Sequence, residues 1–88
     1  MSAENGLIIL FARMADEERA NELLAIIGDG VPDTVEKAGA AVELYALGTG
    51  STLEDAVIGL RDSEDRKADG SPAALAWQWL QEQHPELF

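Results

Sequence analysis

An all-α fold, a small bundle of four or five helices, is what the sequence predicts, and three observations predict it. Turn clusters at Gly28-Asp29-Gly30-Val31-Pro32, Gly48-Thr49-Gly50-Ser51 and Asp69-Gly70-Ser71-Pro72 cut the 88 residues into segments of helical length. Several of these segments open on residues that cap helix N-termini and continue with apolar side chains at three-to-four spacing. Their alanine and leucine content favours helix over strand. The alternative is a small α+β fold with strands near 7–13 and 41–47, since Ile8, Ile9 and Phe11 suit a buried strand. Either way the length predicts one acidic globular domain over residues 1–88.

In the N-terminal third, Asp16, Glu17 and Glu18 read as a helix start, followed by Ala20, Leu23, Leu24 and Ile27 on one face. A single helix continued back to Ala3 would put Leu7, Phe11 and Met14 about 160° from that face. Either a break near Ala15 separates two elements, or residues 7–14 form a central helix surrounded by the others. The next segment runs from Asp33, with Glu36 as a capping-box partner, to Gly48 as its stop, with Val35, Ala38, Val42 and Tyr45 as its apolar stripe. The third begins at Ser51 or Thr52, carries Glu54 and Asp55 in its first turn, and presents Leu53, Ala56, Val57 and Leu60 on one face. The charged run 61–69 reads as a loop. In the last segment Ser71 caps, Pro72 takes the first helical position and Pro85 ends the helix after His84. Leu75, Ala76, Trp79 and Leu80 there share an arc of about 140°, and Trp77 stands opposite it.

The composition excludes several kinds of function. With no cysteine, the chain has no disulfide framework, thiolate zinc site or cysteine nucleophile. Its one histidine excludes a multi-histidine metal site within the chain. Seventeen acids against six dispersed cations give a net charge of −11, the wrong sign for holding nucleic acid directly. The acids are spread along the chain rather than gathered in a tail. They serve as a solubilising coat, as a field that steers the protein onto a basic partner, or as adaptation to high salt. No apolar stretch approaches the ~20 residues of a membrane span, and Glu4 stands where a signal peptide would be basic. A cytoplasmic protein is expected.

Candidate sites follow from single residues. Trp77, flanked in projection by Gln81 and Glu82, is a candidate anchor for a protein partner, because an off-stripe tryptophan is costly to leave wet. Asp62, Glu64 and Asp65 are candidate acidic contacts with the same partner; the intramolecular alternative is that another segment covers Trp77 and the acids are merely solvated. Trp79 and Tyr45 lie on their stripes and are expected in the core. A calcium loop starting at Asp65 would place Lys67 at a ligand position and Ala76 where the bidentate acid belongs, so no metal is expected. The Gly48–Ser51 cluster lacks the ending of a phosphate-binding loop and reads as a helix stop followed by a cap. His84 has no serine and carboxylate convergent with it in the spacing, and reads as a cation at a helix C-terminus.

Three short stretches carry partial resemblances. Leu47-Gly48-Thr49-Gly50-Ser51-Thr52-Leu53-Glu54 resembles the carrier-serine motif of acyl carrier proteins, which implies a four-helix fold with Ser51 as the phosphopantetheine site. Gly50 stands where that family has aspartate. Asp69-Gly70-Ser71-Pro72 with Trp79 in the following helix is similar to the last helix of colicin-type immunity proteins, without their tyrosine-rich toxin-binding segment. The passage from Val42-Glu43-Leu44 to Gly50-Ser51-Thr52-Leu53-Glu54-Asp55 looks like part of the sulfur-carrier ubiquitin-like proteins, whereas this chain closes on Leu87-Phe88 rather than Gly-Gly.

The expectation is a non-enzymatic acidic interaction module, an inhibitor or adaptor for a larger and basic, nucleic-acid-binding protein, needing no cofactor. An acyl-carrier-like protein modified at Ser51 is the second reading. A structural homo-oligomer subunit, such as a homodimer that buries residues 7–14, is the third.

Overall fold

The computed structural model describes residues 3–88, with side chains placed from residue 6 onward; Met1 and Ser2 lie outside the described residues. Five α-helices follow one another: α1 (Ala3–Ala15), α2 (Glu17–Ile27), α3 (Val35–Thr49), α4 (Leu53–Arg61) and α5 (Pro72–Gln83). Single 3-10 turns occupy Glu64–Lys67 and Pro85–Leu87. The described residues contain no strand, so the α+β alternative is overturned: 7–13 and 41–47 are both helical.

The helix boundaries have local causes. Asp16 makes the corner between α1 and α2: its amide still bonds the Ala12 carbonyl, while its extended backbone lets the carboxylate accept the Arg19 amide at 3.1 Å. The break near Ala15 is therefore real. Helix α3 is capped by Thr34 rather than Asp33, the Thr34 hydroxyl accepting the Lys37 amide, and Asp33 instead pairs with the Lys37 ammonium at 3.4 Å. Nor does Gly48 end that helix. It continues to Thr49, and Gly50 supplies the left-handed residue (φ 69°) that lets two successive amides reach the Ala46 carbonyl. Thr52, with Asp55 in return, closes a complete capping box on α4. Ser71 and Pro72 open α5 as expected. Within the charged run 61–69, Ser63 caps a 3-10 turn where a loop was expected.

Helix α3 is the hub, touched by every other helix and most extensively by α1, α2 and α5. Two glycines on it explain the close approach. A β-carbon at Gly48 would run into the backbone carbonyl of Ile8 on α1, and one at Gly39 would overlap the Trp79 indole on α5. One core cluster joins Ala12, Ala20, Leu23, Ala40 and Leu44 across α1, α2 and α3, sealed by Ile9, Leu24, Ile27 and Leu47. On the other side of α3, Val57 of α4 and Leu80 of α5 are fully buried, near-buried Ala38, Ala46 and Ala76 being small enough to let the helices close in.

Three expected faces turn out differently. Tyr45 is 58% exposed rather than core, because α3 turns Ala40 and Leu44 inward towards α1 and α2 and leaves Tyr45 at the edge of that packing. Trp79 is half-buried, lying over Gly39. Helix α1 is not a surrounded central helix: Ile8, Ile9 and Ala12 face inward, whereas Leu7, Leu10, Phe11 and Met14 face out with 48–73% exposure.

Candidate functional site

Small side chains on facing helices leave a trough between α3, α4 and the start of α5, with a volume of about 710 Å³. Along α3 its lining extends from Ala38 to Thr49, roughly 16 Å of helix at 1.5 Å per residue. Ala38, Ala41 and Ala46 on α3 face Ala56 and Gly59 on α4, and residues this short cannot close the gap between the two helices. Val42, Tyr45 and Leu60 add the larger apolar surface.

The polar groups are few and placed at the margins. Thr49 donates its hydroxyl to the Tyr45 carbonyl at 2.8 Å, so the Ser51 hydroxyl, 2.7 Å away, donates in turn to Thr49. Asp55 is held by its capping box, and Ser63 lies where α4 has given way to the following turn. No lysine, arginine or histidine lines the trough. Asp62 adjoins the lining residue Ser63, and Glu64 and Asp65 follow it. These three sequence-chosen acids are all exposed, and none of them lines the trough itself. Among the described residues, no three acidic or histidine side chains converge as metal ligands would.

The structure places Trp77 elsewhere. It is half-buried, its ring meets Phe88 edge-on at 5.0 Å, and the Arg66 guanidinium lies 5.2 Å from the ring centre. The buried side of α5 centres on Ala76 and Leu80, which rotates the inward face towards Trp77 and puts it at the boundary instead of opposite. Through Arg66 the Glu64–Lys67 turn reaches Trp77, so the turn that carries Glu64 and Asp65 packs on the same helix as Trp77. Gln81 and Glu82 are exposed on α5 and line no part of the trough; Glu82 accepts a hydrogen bond from Gln78 at 3.0 Å.

A second, shallower hollow of about 350 Å³ gathers Ser51, His84 and Glu43, a combination the spacing did not show. Each is engaged with another group. The Ser51 hydroxyl bonds Thr49, His84 Nδ1 lies 3.2 Å from Glu86, and Glu43 accepts from Arg19 at 2.6 Å. The Glu86 carboxyl lies below its ordinary range, chiefly through its own backbone amide and secondarily through His84. The nucleophile-to-base hydrogen bond that defines a hydrolytic site is therefore not made here.

The trough was missed by sequence reasoning because it is made by what alanine and glycine leave unfilled. The signal present was the density of small residues on α3, at positions 38–41 and 46. Compared with family models, with curated proteins and with solved structures, the chain matches none.

Proposed function

We propose that the protein is a non-enzymatic interaction module, an inhibitor or adaptor, that receives a basic amphipathic helix of a larger protein in the trough between α3 and α4. One observation carries the reading: a long apolar trough lined by no cation, on a chain of net charge −11. A helix inserting its apolar side at i, i+3/i+4 and i+7 spans about 10 Å, which the trough accommodates. Lysines and arginines flanking that side would meet Asp55 in the lining. Longer reaches would bring them to the exposed Asp62, Glu64 and Asp65, which flank the lining residue Ser63 in the chain. The acid coat would speed the encounter and make it salt-sensitive.

The test uses two synthetic helical peptides with the same leucine pattern, one with lysine and one with glutamate on the polar side, titrated calorimetrically. The lysine peptide is expected to bind at least about tenfold more tightly, equivalent to ~1.4 kcal/mol, and more weakly as salt rises. Gly59 has open space where a β-carbon would go, so Gly59→Leu should fill the trough without disturbing the helix and abolish binding. Equal binding of the two peptides, or undiminished binding by Gly59→Leu, overturns the reading. So does covalent labelling of Ser51 by a fluorophosphonate, which would mark the Ser51–His84 hollow as reactive.

The carrier reading keeps one supporting observation, that Ser51 lies at the margin of the apolar trough. Incubation with coenzyme A and a phosphopantetheinyl transferase decides it, by mass added at Ser51 or none.

A further inference from the structure

We propose that the outward side of α1 is a self-association surface, on which a second copy of this chain docks in a two-fold symmetric helix pair. The side consists of Leu7, Leu10, Phe11 and Met14, spaced three and four apart, all between 48% and 73% exposed. None of them lines the trough, so the surface is independent of the function proposed above.

Charge selects the occupant. Between Glu4 and Asp16 the sequence has no acid, and Arg13 is the only ionised side chain there. The other acid-free stretches of ten residues or more, 44–53 and 70–81, include residues that pack the interior, among them Ala46, Ala76 and Leu80. Residues 5–15 of α1 are thus an acid-free stretch whose large apolar residues turn outward. A basic partner finds no carboxylates on it to pair with. Another copy can approach there without setting acids against acids, whereas most other approaches bring two −11 molecules together through their acidic coats. An isologous contact also needs only one self-complementary stripe, which is what a single helix offers.

The area sets the strength. Four half-exposed large side chains present on the order of 400 Å² per copy, so the pair buries about 800 Å², below the ~1,200 Å² of a stable interface. A reversible dimer with Kd of roughly 10 μM to 1 mM is expected.

Sedimentation velocity of the full chain between about 10 μM and 1 mM tests this. The wild type is expected to shift from monomer towards dimer, and Leu10→Glu to stay monomeric throughout. Added salt should favour the dimer by screening the mutual repulsion, the reverse of its effect on a basic peptide in the trough. The two proposals can therefore fail separately. A wild type that stays monomeric, or a Leu10→Glu variant that still dimerises, overturns the proposal. Should Leu10→Glu fold poorly, a dilution series of amide spectra on the wild type decides instead. Shifts confined to the outward side of α1 support the docking, and shifts centred on α3 to α5, or none, refute it.

Discussion

The Trp79 indole occupies the space that a β-carbon on Gly39 would need. That relationship sets how closely α5 lies on α3, and it makes a normally unfavourable residue the right one at mid-helix. Replacing Gly39 by alanine gains about 1 kcal/mol of helix propensity but forces the indole out of its seat. The net expectation is a loss of about 1–3 kcal/mol, as for overpacked cores, read from urea unfolding. In a Trp79→Leu background the same substitution should lose much less, because the flat ring that collides with the new methyl group is gone.

Arg19 ties α2 to α3 through Glu43 at 2.6 Å and reaches Glu22 on its own helix at 3.0 Å. These two hydrogen bonds, Glu43 first, hold the guanidinium above its ordinary pKa. Both partners keep contact with water, with 42% and 25% side-chain exposure, so the link is a modest one. Glu43→Gln is expected to destabilise by less than about 1 kcal/mol. The gap from the wild type should narrow in roughly 0.5 M salt, as thermal melts at two ionic strengths would show.

Thr52 and Asp55 satisfy each other's backbone amides at the start of α4. Thr52→Ala removes one half of that box and should destabilise by about 1 kcal/mol. Thr52→Ser should recover most of it. Because α4 forms one side of the trough, amide exchange in 53–61 is the most direct readout, and it should quicken more than exchange in α3.

Phe88 meets Trp77 edge-on, an arrangement worth about 0.5–1.5 kcal/mol beyond area burial. In a Trp79→Phe background, leaving Trp77 as the only indole, Phe88→Ala should red-shift the emission and raise quenching by acrylamide. An unchanged spectrum would mean that Arg66 and the Glu64–Lys67 turn alone shield the ring.

What the sequence disclosed depended on range. Caps act within four residues, so Ser71 with Pro72, and Thr52, could be read from the chain, and Asp16 was recognisable within the helix start it opens. The terminus of α3 was misplaced by two residues because Gly48 looks like a stop. Only the approach of Ile8 shows that it is a contact point. Orientation was less accessible. Helix α1 is apolar on opposite sides, and periodicity cannot say which side finds a partner within the chain. Tyr45 shares a stripe with Ala38 and Val42, yet beyond the buried Ala38 that stripe runs along the trough rather than into the interior. Trp77 looked free because its two covers, Arg66 and Phe88, come from 11 residues before it and 11 after, beyond the reach of a helical projection.

Every other helix leans on α3, whereas α4 touches its neighbours least. The amides of α3 should therefore exchange only when the whole molecule comes apart, and those of α4 by a smaller, local opening. The two long sides of the trough are consequently unequal: a fixed rail faces a gate hung on a capping box and one buried valine. If the proposed guest helix binds there, one of the wrong girth should be met first by movement of α4, the helix with the least contact to disturb.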